Sequence, residues 1–315
     1  MFFAGGDVDA SSDSSSPIVE MDWKVFDPWH TQSLRHRLCD HPLLQVEELV
    51  ELGRRCRGTS RWASFNNDAG ADANFDTVSS AFPSSRSAVD SLKSISDAKA
   101  WVLLRHIQAD DTYRPLVDLA LDAIQPHIEV KDPGMYYRAG WIFAASPHTV
   151  TPFHIDRNHG ILLQISGSKK VYVWDAEDTE VVSDLARDCF HSRHDLGRVQ
   201  WHEEFRARAH VFDLEPGTGV YIPLTSPHMV ETTDDSSITI SLTYSTKATR
   251  HNAMQHVMND LLRRTGLHPP PVGSNRIFDR CAYVGASAMV AAHGPGSRSP
   301  ACPSLSRHST YAVAD

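Results

Sequence analysis

The chain has no long apolar run: runs such as Trp101 to Leu104 and Gly160 to Leu163 fall far short of the roughly 20 residues that cross a bilayer. No helical membrane span is expected. A basic excess is also missing, with 30 Lys and Arg against 39 Asp and Glu and a formal charge of −9. Without an electropositive footprint for a phosphate backbone, nucleic acid is not an expected partner. Five cysteines, Cys39, Cys56, Cys189, Cys281 and Cys302, are odd in number, scattered and free of any C-x-x-C pair. They read as reduced thiols of a cytoplasmic protein rather than a disulfide framework or a zinc site. The opening Met1-Phe2-Phe3-Ala4-Gly5-Gly6 lacks a basic n-region and an apolar stretch, so secretory export is not expected. Glycine-rich phosphate loops, a nucleophile elbow and repeats of solenoid length are absent as well, which removes three further function classes.

What is present describes one large domain, or a domain with an accessory segment: 315 residues, 41% hydrophobic and 22% charged. The Ser- and Asp-rich stretch 7–16 and the Gly-, Pro- and Ser-rich stretch 294–309 bury too little apolar surface to offset ordering entropy, so disorder is expected over 1–20 and 294–315. Leu43, Leu44, Val46, Leu49, Val50 and Leu52 recur at helical spacing before Gly58, predicting an amphipathic helix over Pro42 to Cys56. A long loop follows over Asn66 to Arg86, then a helix near Ala88 to Ala98, a strand at Trp101 to His106 and a helix over Asp111 to Ile124. Together these make 21–130 a helical region packed on a β core.

After Pro133 the texture changes to short β-branched and aromatic runs separated by turn signals. Strands are predicted at Met135 to Ala145, Ile161 to Ser166, Lys169 to Trp174, Ala209 to Leu214, Thr218 to Ile222, His228 to Thr232 and Ser237 to Tyr244. Such a series suggests a closed or sandwich-like antiparallel fold over 131–247. A polar, helical insertion occupies Asp175 to Arg208, and a helix over Ala248 to Thr265 opens a C-terminal helical region, 248–293.

Eighteen histidines make imidazole alone uninformative, so spacing has to select among them. In Thr151-Pro152-Phe153-His154-Ile155-Asp156, just past a predicted strand, residues i and i+2 on extended chain project to one side. His154 and Asp156 can therefore reach a common ion. His228, opening a later strand after Pro227, is the candidate third ligand. Two histidines and one carboxylate form the facial set of non-haem Fe(II) oxygenases. Taken alone His-x-Asp is weak, because any surface loop can contain it.

The downstream context is more specific. The strand Ile161 to Ile165, the turn Ser166-Gly167-Ser168 and the strand Lys169 to Trp174 resemble the cupin-like branch of the JmjC superfamily. These are Fe(II)- and 2-oxoglutarate-dependent oxygenases that include the asparaginyl hydroxylase of the hypoxia response. That family places a lysine fifteen residues after the first histidine, where Lys169 stands, and a threonine three residues before it, where Thr151 stands. Both bind the far carboxylate of 2-oxoglutarate in the family. Fifteen residues after the distal histidine a polar side chain lines the pocket, and Thr243 fills that position. The resemblance covers roughly Trp101 to Thr246. It implies a mainly β double-stranded β-helix, a jelly roll of cupin or JmjC type, with flanking N- and C-terminal helices. It further implies Fe(II) held by His154, Asp156 and His228, with Lys169, Thr151 and Thr243 at the 2-oxoglutarate. Hydroxylation of a peptide or protein side chain, with decarboxylation of 2-oxoglutarate to succinate, is the activity it points to. A small amino-acid-like metabolite as substrate, or a metal-binding cupin without oxygenase activity, are the alternatives. A homodimer through the C-terminal helix is a candidate assembly.

Alternation supports one of these assignments independently. Lys169, Val171 and Val173 share one face of their strand, opposite Lys170, Tyr172 and Trp174, so Lys169 is expected to point inward and Lys170 outward. Other residues are weighed and mostly set aside. His191-x-x-His194 reads as a solvated face rather than a zinc site. His159 is divided between the entrance and a structural role, and Arg157 is read as an ordinary surface arginine. Tyr136, Tyr137 and Trp141 are read as core packing.

Overall fold

Short alternating runs become strands when one face of each finds a core and the other a partner layer. The computed structural model describes residues 17–292. Its first part runs β1 (Val19–Glu20), β2 (Gln32–His36), α1 (Val46–Arg55), β3 (Trp62–Asn66), α2 (Val78–Ala81), α3 (Ala88–Lys93), β4 (Ala100–Leu104) and α4 (Arg114–Lys131). The strand-rich part follows: β5 (Tyr136–Ala145), β6 (Val150–His154), β7 (His159–Ser166), β8 (Lys169–Val173), α5 (Asp184–Arg193), β9 (His210–Leu214), β10 (Thr218–Ile222), β11 (His228–Thr232) and β12 (Ser237–Ser245). Helices α6 (Lys247–Arg264) and α7 (Arg276–Ala292) close the described chain.

The strands form two antiparallel sheets, an eight-stranded one in the order β1-β2-β10-β7-β12-β5-β4-β3 and a four-stranded one in the order β6-β11-β8-β9. This is the expected jelly roll with flanking helices. Alternation divides the large sheet between two cores. Ile142, Ala144, Ile238, Ile240 and Leu242 pack outward against α1 and α4, whose Leu49, Leu52, Leu116, Val117 and Leu121 lie in the same cluster. The inward face meets the small sheet, where Leu162, Val220 and Ile222 pack on Val171, Val173 and Val230. The turn from β7 to β8 depends on Gly167, which takes φ 68° and where a Cβ would stand 1.9 Å from the Ser236 carbonyl oxygen. No L side chain fits there.

Several elements differ from the sequence expectation. Val19–Glu20 pair with β2, although 1–20 reads as disordered; residues 1–16 and the expected tail 294–315 lie outside the described residues. The region expected to be helical, 21–130, also supplies β2 and β3 to the large sheet, beside β4, which lies where a strand was expected at Trp101 to His106. His154 stands on a strand of its own, β6, rather than past the end of β5. Helix α7 falls within the C-terminal helical region expected over 248–293. Among the described residues no helix is long and apolar enough to cross a membrane.

Candidate active site

The register of β6 against β11 sets His154 directly opposite His228, with ring centroids 4.1 Å apart. Asp156 lies two residues on, where the chain has left the strand, and its Oδ2 is 3.7 Å from His228 Nε2. One ligand atom from each of the three residues lies within 4.8 Å of the others. Both histidines are buried, while the Asp156 side chain is half exposed. The cluster thus has a protected back and an accessible front.

Backbone carbonyls fix the proton positions. His154 Nδ1–H donates to the Pro152 carbonyl at 2.7 Å and His228 Nδ1–H to the Ser226 carbonyl at 3.0 Å. A carbonyl only accepts, so each Nδ1 carries a proton, and Nε2 is the atom each ring would turn to a metal. In both cases the carbonyl precedes the histidine by two residues, so local chain geometry aims the ring. Burial, and then the neighbouring His228, lower the His154 pKa to about 4, which holds the imidazole neutral at physiological pH. Phe75 lies flat on the His154 ring, with centroids 4.0 Å apart and planes 3° from parallel. Its loop is anchored where Phe153 N–H donates to the Ala71 carbonyl. Two imidazoles aimed through Nε2 and one carboxylate fit a divalent first-row metal.

The residues expected at the cosubstrate fall on the same interior. Lys169 opens β8 opposite Thr232 and is 5% exposed, in phase with the interior Val171 and Val173. Lys170 points the other way and pairs with Asp213 at the surface. Burial pushes the Lys169 pKa down to about 7, with no ionised side chain among the described residues offsetting it. An ammonium buried without a countercharge is costly, and a ligand carboxylate would supply what the protein does not. Thr151, on β6, accepts a hydrogen bond at Oγ1 from Trp101 Nε1 at 3.0 Å. Thr243 faces Ala139 and Gly160 across β12, on the side opposite the outward Leu242.

Trp101 and Phe75 escaped the sequence reading. For Trp101 the signal was its place on a predicted strand, in phase with inward residues; the Phe75 loop carries no periodicity that could have marked it. Three residues set aside earlier have structural roles. His159 is fully buried, its Nδ1 facing the Leu224 N–H and the Tyr221 hydroxyl, with Asp132 3.4 Å from Nε2. His191 is buried and stacks on His256 at 4.9 Å, so it is not the solvated residue expected; only His194, paired with Asp76, reaches the surface. Arg157 donates to the Phe190 carbonyl at 2.6 Å and so ties the segment after Asp156 to α5.

The profile of the cupin-like domain matches residues 18–250. The chain belongs to the cupin-like domain family. That span includes both sheets and every residue of the cluster described above. No curated protein matches the sequence at a significant level. Among solved structures, Escherichia coli YcfD is similar with a TM-score of 0.46 at 13% identity, covering 89% of this chain and 70% of that one. A second structure of it, described as a ribosomal oxygenase in complex with cobalt and 2-oxoglutarate, gives a TM-score of 0.45 at 14% identity, covering 89% and 69%. The DMSP lyase DddQ of Ruegeria pomeroyi gives 0.22 at 17% identity over 34% of this chain and 38% of that one.

Proposed function

We propose that this cupin-like protein is an Fe(II)- and 2-oxoglutarate-dependent oxygenase that hydroxylates a side chain of a peptide or protein. The observation that carries the reading is Lys169, a buried lysine without a countercharge, on the same interior as a cluster of two histidines and one carboxylate. A dicarboxylate that chelates a cation at one end needs a second cation at the other. His154, Asp156 and His228 hold the iron, and Lys169 with Thr151 holds the far carboxylate. Thr243 lines the pocket between them. When bound, Fe(II) supplies the redox chemistry by which 2-oxoglutarate, O2 and a C–H bond become succinate, CO2 and an alcohol.

The chain's own residues prepare that exchange. The Pro152 and Ser226 carbonyls hold each imidazole by its Nδ1–H, which leaves Nε2 of His154 and His228 to turn to the metal. Phe75 shields one face of His154 from water, and Trp101 fixes the Thr151 hydroxyl. The test is succinate formation by the reconstituted protein, together with mass spectrometry for +16 Da peptides in treated lysates. Iron-dependent succinate and an oxidised peptide are expected. Metal binding without succinate would contradict the proposal and leave a metal-binding cupin of another kind.

A further inference from the structure

We infer that Arg105 and Trp141 form the substrate-recognition end of this site and that they hold a carboxylate of the substrate. The inference deepens the oxygenase reading and rests on it. In the β4–β5 register Leu104 faces Ile142, so the next residue, Arg105, stands beside Trp141. Trp101 and Leu103 on β4 and Trp141 and Phe143 on β5 belong to one inward cluster, which also contains Phe75. Alternation puts Arg105 on that same face. Phe75 in turn lies against His154, so this cluster borders the metal ligands. Trp141 also pairs in register with Ser241 of β12, two residues before Thr243.

Two donors at this place have no acceptor among the described residues. Arg105 Nε and Trp141 Nε1 are both buried there without a hydrogen-bond partner. The indole is held from behind by His106, whose ring is tilted against it at 5.4 Å. His106 takes a left-handed φ of 51° and lies within hydrogen-bond reach of Gln108 Nε2 at 3.4 Å, while Gln108 Oε1 accepts from Gly140 N–H at 3.0 Å. A non-glycine residue in that conformation marks a place where the surroundings impose the geometry. Two guanidiniums, Arg61 and Arg105, lie near His106, and the Asp76 carboxylate near Arg105 is 3.3 Å from His194.

Guanidinium and indole N–H groups only donate, so their common ligand must accept at two points. A carboxylate does so and also neutralises the guanidinium, whereas a carboxamide oxygen accepts from both donors but leaves that buried charge uncompensated. The substrate class is therefore a peptide or small molecule with an acidic group, such as an Asp or Glu side chain, at or beside the oxidised carbon. Lys169 is committed to the cosubstrate and stands at the other end of the interior.

The test uses the full chain loaded with Co(II) and 2-oxoglutarate, titrated calorimetrically with N-acetylaspartate methylamide and with its asparagine counterpart. The acid should bind about tenfold or more tightly than the amide. Arg105→Gln should erase that preference and Trp141→Phe should reduce it, while 2-oxoglutarate affinity stays unchanged in both; Arg105→Lys should keep part of it. Should Arg105→Gln fail to fold, Trp141→Phe and Arg105→Lys decide the matter by the same criterion. Equal affinity of the wild-type protein for the two probes would overturn the inference, as would variants that weaken 2-oxoglutarate as much as the acidic probe. If the Co(II) protein takes no 2-oxoglutarate yet prefers the acid in an Arg105-dependent way, the oxygenase reading fails and this subsite stands.

Discussion

Replacing Lys169 separates function from stability, because the same burial that prepares the residue for an anion penalises it without one. The drop of its pKa from 10.5 to about 7 corresponds to about 5 kcal/mol at 1.36 kcal/mol per tenfold. Since the folded value lies below the unfolded one, the penalty is absent above pH 10.5, grows as the pH falls to about 7 and is constant below that. Lys169→Met should therefore stabilise the ligand-free protein near neutral pH, by up to about 5 kcal/mol, and leave it unchanged near pH 10.5. The same variant should bind 2-oxoglutarate at least two to three orders of magnitude more weakly, the roughly 3–5 kcal/mol lost when one partner of a desolvated pair is removed. A second signature is proton uptake. With a pKa of about 7 in the free protein, binding a carboxylate that recharges the amine should take up about half a proton at pH 7 and about 0.9 at pH 8. Calorimetry in buffers of different ionisation enthalpy measures this, and denaturant melts measure the stability change. Lys170→Ala, at the exposed Asp213 pair, should alter neither. Equal effects of the two variants, or binding without proton uptake at pH 8, would refute the placement of the cosubstrate.

Three further outcomes follow from the same geometry. His154→Ala or Asp156→Ala should leave the melting curve nearly unchanged in metal-free protein but remove tight Co(II) binding and succinate formation, checked by calorimetry and product analysis. Trp101→Phe keeps the ring but loses the hydrogen bond to Thr151, so 2-oxoglutarate affinity should fall about five- to tenfold, at roughly 1 kcal/mol for a neutral hydrogen bond, with metal affinity unchanged. Asp188→Asn strips a buried carboxylate from His256 and Arg263 and should cost about 3–5 kcal/mol in urea denaturation, with the metal site intact in the protein that remains folded.

The parts of the fold legible in the sequence were those whose pattern and burial agree. Strands β10 and β11 begin and end where alternation and turn residues put them, and α1 follows its apolar stripe. Strand β2, Gln32–His36, one in from the edge of the large sheet, carries Arg35 and a polar face and reads as loop until its neighbours are known. Strand β6 is short and contains Pro152, a residue that argues against a strand except at an edge, which is where β6 lies in the small sheet. His191 shows why polarity is a poor guide to exposure. Its helix, α5, pairs its charges with α6 through Asp188 with His256 and Arg263, and Arg193 with Asp260, so a polar sequence becomes a buried one. At the candidate site, the His-x-Asp spacing marked His154 and Asp156, alternation turned Lys169 inward, and the family resemblance tied His228 and Lys169 to them. Trp101 and Arg105 carry only the alternation of β4, and Phe75 depends on how its loop folds back over His154, which no local pattern encodes.

Whether one interior holds a metal and 2-oxoglutarate together is decided by anaerobic titration of the Fe(II)-loaded protein with 2-oxoglutarate, followed by visible absorption. A metal-to-ligand charge-transfer band should appear with 2-oxoglutarate, survive in Lys170→Ala and be lost from Asp156→Ala, with Lys169→Ala needing far higher 2-oxoglutarate to reach it. Iron that binds to His154, Asp156 and His228 with no band at saturating 2-oxoglutarate would contradict the joint placement.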